Sequence, residues 1–271
     1  MFDALPDELA HALTTAAPRL GPYGDVRYCA EVESTNDVAL SVAAAGAAEG
    51  VSVIADAQRR GRGRRGQGWF SPPEAGIYLS VIVRPDAAHG LVPMLTIGAG
   101  VAVAEAVEVV SALPVELKWP NDLVIGRPWR KLGGVLAEAV STGARLDAVV
   151  VGVGINIRNT AFPPELAGRA TSIETELGRG IDRGLLVVEL LARLRAMMAH
   201  VRSGDHASVA SRWRRLAASG LDASVQWAGP QGVRRGVARD IADDGALLVE
   251  AGGHLERIVG GPVTWEGLSV E

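Results

Sequence analysis

Five arginines and four glycines fall within residues 58–70, Gln58-Arg59-Arg60-Gly61-Arg62-Gly63-Arg64-Arg65-Gly66-Gln67-Gly68-Trp69-Phe70. That density describes a loop made for anions. Glycine lets the backbone turn its N–H groups toward a ligand, and guanidinium groups grip carboxylate or phosphate oxygens through paired hydrogen bonds. The run from Gly61 to Gly66 also matches the dinucleotide fingerprint G-x-G-x-x-G and follows a strand-like run at 51–55. The fingerprint requires a helix to open at the glycines, so that its N-terminus meets a pyrophosphate. Gly68, Pro72 and Pro73 prevent one. Nor does a Gly-Lys-Ser/Thr follow four variable residues, so this is not a Walker A loop. The glycines belong to a flexible, ligand-gripping loop.

Four other stretches hold candidates. Glu33-Ser34-Thr35-Asn36-Asp37 leads into an alanine-rich helix predicted over 38–48 and ended by Gly50. Ser34 with Asp37 resembles a capping box, and hydroxyls at a helix start can also face a cleft. In Lys118-Trp119-Pro120-Asn121-Asp122 the proline breaks a strand and leaves Asn121 and Asp122 at a turn. Lys131-Leu132-Gly133-Gly134 reads as a strand entered through a lysine, with glycines where something approaches the backbone closely. Gly152-Val153-Gly154-Ile155-Asn156 reads as a buried strand whose glycines are placed as if a ligand lay along it.

These residues must be held by a scaffold, and the hydrophobic pattern supplies one. A helix is predicted over 7–17, closed by Pro18 and Gly21-Pro22, then a strand over 26–32. Further strands fall at 77–83, 115–118, 131–138 and 146–157, with a mostly buried helix over 95–113. Residues 162–184 are loop-like with a short helix, and two helices over 185–201 and 206–218 are broken at Ser203-Gly204. After Gly220 come short alternating segments at 224–227, 232–241, 246–250 and 256–259, separated by turn glycines, which suggest a small β-barrel. The chain is thus read as α+β, with a large unit over 1–220 and a small β unit over 221–271.

Composition narrows the function. A formal net charge of −4 and a pI near 5.8 argue against nucleic acid as the general partner and make the local arginine density more telling. Cys29 is the only cysteine, so an internal disulfide is excluded and a reducing cytoplasm is the natural compartment. The acidic N-terminus lacks the pattern of a secretion signal, and apolar runs such as 95–110 are interrupted by Glu105 and Glu108, so no membrane span is expected. The five histidines form no metal-ligand spacing and no metal site is assigned. A winged-helix domain needs about 60 residues, more than precede the first motif-bearing strand, which argues against DNA recognition from this end.

Taken together, Glu33-Ser34-Thr35-Asn36, Gln58 with the Gly61–Gly66 run, Lys118-Trp119-Pro120-Asn121-Asp122, Lys131-Leu132-Gly133-Gly134 and Gly152-Val153-Gly154-Ile155-Asn156 resemble the biotin protein ligase family in order and spacing. The resemblance runs from about residue 26 to the end and rests on the joint occurrence of five motifs. It implies a central mixed sheet flanked by helices, like the catalytic domain of class II aminoacyl-tRNA synthetases, with a C-terminal SH3-like β-barrel. It implies activation of biotin by ATP and Mg2+ to biotinyl-5′-AMP, then transfer to a lysine of a biotin carboxyl carrier domain. Catalysis would fall to Arg64, Lys131 and Asp122. Biotin would meet Ser34, Thr35, Asn36, Gln58, Arg62, Arg64, Lys131, Gly133 and Gly134, and the nucleotide would meet Arg62, Arg64, Trp69, Asn121 and Asn156. Arg59-Arg60 depart from the small or polar residues expected there. A lipoate or octanoate ligase or transferase of related fold is the alternative, and both monomer and homodimer stay open.

Overall fold

The computed structural model describes residues 2–85, 91–142, 145–158, 162–229 and 232–268; His89 lies outside them. Seven strands form a mixed sheet: β1 (Val26–Val32), β2 (Ser52–Gln58), β3 (Gly76–Val83), β4 (Glu116–Lys118), β5 (Asp122–Ile125), β6 (Arg130–Thr142) and β7 (Arg145–Asn156). Their spatial order is β1-β2-β3-β7-β6-β5-β4, with β1 and β2 parallel and every other pair antiparallel. Every residue of β3 is buried, because helices cover both faces of the sheet; that is why its sequence is a continuous apolar run and not an alternation.

One face carries α2 (Thr35–Ala44), packed through Ala39 and Ala43 on Val53, Ile82 and Val150. The other carries α3 (Val92–Ser111), α5 (Arg183–Arg202) and α6 (His206–Leu216), which build the larger core. Helix α3 is long and apolar enough to cross a membrane, but 72% of its apolar window is buried in the fold, where Gly98 lets α5 approach until a Cβ would sit 2.9 Å from Met197. Two further helices join this core, α1 (Asp7–Leu20), packed on α5, and the single-turn α4 (Ile173–Leu177), through its buried Ile173.

Two helix ends differ from expectation. Helix α1 runs through Pro18 to Leu20. The proline sacrifices one backbone bond, but Leu20 is fully buried and its packing favours the extra turn. Helix α2 starts at Thr35 and stops at Ala44, because Gly46 takes a left-handed conformation (φ +93°) that ends the helix before Gly50.

The C-terminal strands β8 (Ser224–Gly229), β9 (Gly232–Ile241), β10 (Leu247–Ala251), β11 (His254–Ile258) and β12 (Val263–Trp265) form an antiparallel SH3-like sheet in the order β11-β10-β9-β8-β12. It stays open, with β11 and β12 at opposite edges, so the expected barrel does not close; β12 escaped the sequence reading because three residues carry no period. The sheet shares one core with the rest of the chain. Trp265 lies 6.1 Å from Trp129 and its Nε1 donates to Gly220 O at 2.9 Å, while Trp119 Nε1 donates to Gly245 O at 2.9 Å.

Candidate active site

The α2 face of the sheet holds a cavity of about 280 Å³, which abuts a second of about 330 Å³. The wall of the first begins where β1 passes into α2. Ser34, Thr35 and Asn36 are 2%, 4% and 4% exposed, an unusual run of buried polar residues. Ser34 is the N-cap residue, yet its side chain makes no capping bond, and Asp37 turns to Arg62 instead at 2.6 Å. The capping box is therefore not formed.

The other residues are cross-linked. Gln58 Oε1 accepts from Thr35 N at 2.9 Å and lies 3.2 Å from Thr35 Oγ1, while Gln58 Nε2 donates to Ser71 Oγ at 2.9 Å. Ser80 Oγ lies 2.8 Å from Thr35 Oγ1 and donates to Asn36 Oδ1 at 2.6 Å. Asn36 Nδ2 donates to Glu138 Oε2 at 2.6 Å. Buried donors and acceptors without partners are costly, so this chain fixes Thr35, Asn36, Gln58, Ser71 and Ser80 in the wall.

The arginine loop folds as a hydrogen-bonded hairpin. Gly63 N donates to Gln67 O at 2.7 Å and Trp69 N to Gly61 O at 2.8 Å, closing a 3-10 turn at Arg64–Gly66. Gly61 is required by close approach, since a Cβ there would lie 2.5 Å from Trp69 O. Arg65 takes a left-handed conformation (φ 60°, ψ 33°), strained for a residue with a side chain. Three of the arginines already have acid partners: Arg59 pairs with Glu31 at 2.7 Å, Arg60 approaches Glu33 at 3.9 Å, and Arg62 pairs with Asp37 and Glu138. The extra charge of Arg59-Arg60 is thus matched by Glu31 and Glu33. Arg64 differs: it is part-buried, and its hydrogen bond, 3.4 Å long, goes to the neutral Asn121 Oδ1. Burial lowers its pKa, with Asp122 opposing and Arg65 adding to the effect.

Opposite the hairpin stands the β4–β5 turn. Asn121 pins it to β6, donating from Nδ2 to Val135 O and accepting from Val135 N through its backbone carbonyl, both at 2.9 Å. A bulge in the β5–β6 pairing follows, and beside it Asp122 Oδ1 meets Lys131 Nζ at 2.6 Å. Lys118 ends β4 opposite Asp122, 5.8 Å from the Trp265 ring. Burial above all holds its pKa below the lysine range; Asp122 opposes this, and Lys131 and Arg169 add to it.

The strand glycines are places of close approach, as expected. A Cβ at Gly152 would lie 2.2 Å from Asn36 Oδ1, and one at Gly154 would lie 2.5 Å from Trp69 Cε2. They leave room for two side chains of the cavity wall and themselves line the first cavity. Trp69, resting on Gly154 under Lys131 Nζ at 5.5 Å, stands between the cavities and borders both.

Of the residues singled out from sequence, Ser34, Thr35, Asn36, Gln58, Arg62, Arg64, Trp69, Asn121, Asp122, Lys131 and Gly134 line the first cavity. Asn156 lines the second, donating from Nδ2 to Thr171 O at 2.9 Å. Gly133 lines neither; a Cβ there would sit 2.8 Å from Gly154 O, so it serves the close approach of β6 to β7. Sequence reasoning missed Phe70, Phe162, Leu166, Arg169 and Ala170 of the second cavity, and Gly261 and Pro262, which bring the C-terminal sheet to the first. The aromatic pair Phe70 and Phe162, 6.4 Å apart, was the one available signal.

Among the described residues, the two cavities together are lined by six cations, Arg62, Arg64, Arg65, Lys118, Lys131 and Arg169, against the single carboxylate of Asp122. Such a site attracts anions and stabilises negative charge that develops between them. Among the described residues no group of three or more His, Cys, Asp or Glu could hold a metal ion.

A model of the biotin/lipoate A/B protein ligase family matches residues 28–156. The biotin–[acetyl-CoA-carboxylase] ligase of Mycobacterium tuberculosis is 38% identical over 243 residues, covering 86% of each chain. The bifunctional ligase/repressor of Bacillus subtilis is 33% identical over 233 residues, which are 84% of this chain and 70% of that one. Among solved structures, the Aquifex aeolicus biotin protein ligase in complex with biotin and ATP superposes with a TM-score of 0.75 at 26% identity, over 89% of this chain and 99% of that chain. With its motifs gathered around one cationic double cavity, the chain belongs to the biotin protein ligases of the biotin/lipoate A/B protein ligase family.

Proposed function

We propose that the chain joins biotin to a carrier-domain lysine in two steps at the double cavity. The observation that carries this reading is the ring of six cations around one carboxylate, in a chain of net charge −4, at the junction of a hydrogen-bonded pocket with an aromatic one. A carboxylate does not acylate an amine unaided. Its oxygen attacks the α-phosphorus of ATP, an acyl C–O–P linkage forms, the bond to the β-phosphate oxygen breaks and pyrophosphate leaves. Two anions approach in that step, and fixed counter-charge lowers its barrier. Arg62 and Arg64 hold the carboxylate and phosphate in this reading, and Lys131 stabilises the joined acyl phosphate. The lysine amine then attacks the carbonyl, forms the amide, sheds a proton and expels AMP.

Biotin is assigned to the first cavity. Its ureido ring offers one carbonyl and two N–H groups, and Ser34, Thr35, Asn36 and Gln58 supply both donors and acceptors. Gly134 leaves room in the same wall. A lipoyl or octanoyl tail has no such groups and makes no use of a polar wall, which favours biotin over the lipoate alternative. The nucleoside is assigned to the second cavity, between Trp69, Phe70 and Phe162, with Asn156 and Asn121 near its polar edge. Magnesium fits as an ion brought by the nucleotide: Asp122 and Asn121 offer two oxygens at the junction, and Mg2+ usually binds through one or two carboxylates plus substrate phosphates. We place the reaction in the cytoplasm and keep Gly220 as the boundary between a catalytic unit, 1–220, and a β unit, 221–271. Mass spectrometry of the protein mixed with biotin and MgATP tests the reading. Retained biotinyl-5′-AMP is expected; an adenylate formed with lipoate or octanoate but not biotin would replace it.

A further inference from the structure

The chain of hydrogen bonds in the first cavity does not end at a ligand contact. It ends at Glu138, on β6, which lines neither cavity. One oxygen, Oε2, accepts from Asn36 Nδ2 at 2.6 Å and from Arg62 Nη2 at 2.9 Å. We propose that Glu138 is a positioning residue, which aligns Arg62 of the hairpin with Asn36 of the α2 wall so that both meet the ligand in register. The identity of that ligand as biotin rests on the function proposed above.

Three observations carry the inference beyond an ordinary surface ion pair. First, one of the two donors is Asn36, 4% exposed and seated over Gly152, where no Cβ would fit. Second, a carboxylate can only accept, so it fixes the Asn36 amide with its NH2 toward β6 and its oxygen toward Ser80. Ser80 has one proton, and giving it to Asn36 at 2.6 Å leaves its Oγ to accept from Thr35 Oγ1 at 2.8 Å, while Gln58 is held by Thr35 N at 2.9 Å. Third, Glu138 is the more enclosed of the two acids on Arg62, its side chain 26% exposed against 52% for Asp37. Neutralising Glu138 therefore loosens the hairpin at Arg62, whereas removing its side chain also disorders the wall.

Substitution separates these branches. In Glu138→Gln the new Oε1 still accepts from Asn36, so only the charged contact with Arg62 is weakened; Glu138→Ala loses both. Biotin-dependent pyrophosphate exchange at saturating MgATP should show the KM for biotin rising roughly tenfold in E138Q, as loss of one charge-assisted contact implies, with kcat changed less than about threefold. E138A should lose more. In an R62Q background E138Q should add less than about twofold, since its partner is already gone. An unchanged KM in E138Q, or a full tenfold effect in the R62Q background, overturns the proposal. A readout that needs no substrate accompanies it: tryptic cleavage after Arg64 and Arg65 should be severalfold faster in E138Q than in wild type, and no faster in E138Q/R62Q than in R62Q. Equal cleavage in E138Q and wild type also overturns the proposal, even if the wild type exchanges pyrophosphate with a different acid and the biotin reading fails.

Discussion

The two cavities are built on opposite principles. The first is finished before any ligand arrives: Thr35, Asn36, Gln58, Ser71 and Ser80 satisfy one another, and Arg62 is held by two carboxylates. The second is not. Among the described residues, Nε1 of Trp129 on its wall and of Trp69, which the two cavities share, is buried without a hydrogen-bond partner, and Phe70 and Phe162 meet only at a tilt of 58°. A saturated wall can discriminate among small ligands because a mismatched one breaks bonds already made. An unsaturated aromatic wall binds by stacking and gains when it is covered. The pair teaches that the first cavity is built for selectivity and the second for contact area.

Arg64 stands where the halves meet, and its loss should be felt most. Arg64→Ala is expected to slow biotin-dependent pyrophosphate exchange roughly a hundredfold or more, as loss of a preorganised charge stabiliser does. Exchange at the wild-type rate would mean that the charge at the junction is not what the reaction uses.

The glycines of β7 offer a sharper instrument. Gly152→Ala pushes against Asn36 and Gly154→Ala against Trp69. The first should raise the KM for biotin about tenfold, and the second should raise the KM for ATP by a similar factor, each with a smaller effect on the other substrate. Isothermal titration with each ligand alone reads this directly. Equal damage to both ligands by either variant would merge the halves into one site.

A smaller effect concerns pH. Burial keeps the Lys118 pKa below that of an ordinary lysine. Its positive charge is therefore present at low pH and lost as pH rises through this lowered value, earlier than an exposed lysine would lose it. Affinity for ATP should fall over the same alkaline range, and Lys118→Arg, which stays charged, should flatten the dependence. A wild-type affinity that is level with pH would remove Lys118 from the nucleotide site.

The sequence exposed the first cavity more fully than the second for a physical reason. Ser34, Thr35 and Asn36, Gln58 with the hairpin, and Lys118 through Asp122 sit at junctions where the chain changes direction, so their types cluster in short contiguous runs. The strands behind them were legible because burial on both faces makes unbroken apolar runs, as in β3. Phe162, Leu166 and Arg169 lie on a segment with little regular structure, and nothing local ties them to Trp69. The acids that match the arginines, Glu31, Glu33, Asp37 and Glu138, are paired across up to 76 residues, which no periodicity records. The glycines of β7 were recognised as sites of close approach, but the approaching groups were side chains from α2 and the hairpin. That distinction exists only in three dimensions. The separation of the C-terminal sheet was likewise clear in its rhythm, whereas the shared tryptophan core that joins it to the catalytic sheet was not.

One geometric fact about β7 reaches further than either cavity. Asn36 and Trp69 rest on Gly152 and Gly154, two residues apart and so on the same side of one extended strand. The strand acts as a ruler between the two cavity walls, with a step of about 6.6 Å set by the rise of the backbone and not by any side chain. Mutations in the walls can change the shape of each cavity, but not the interval at which Asn36 and Trp69 are anchored. A slip of one residue in the pairing of β7 would carry both glycines to the other face of the sheet and unseat Asn36 and Trp69 together, so the register of this strand sets the spacing of both landmarks.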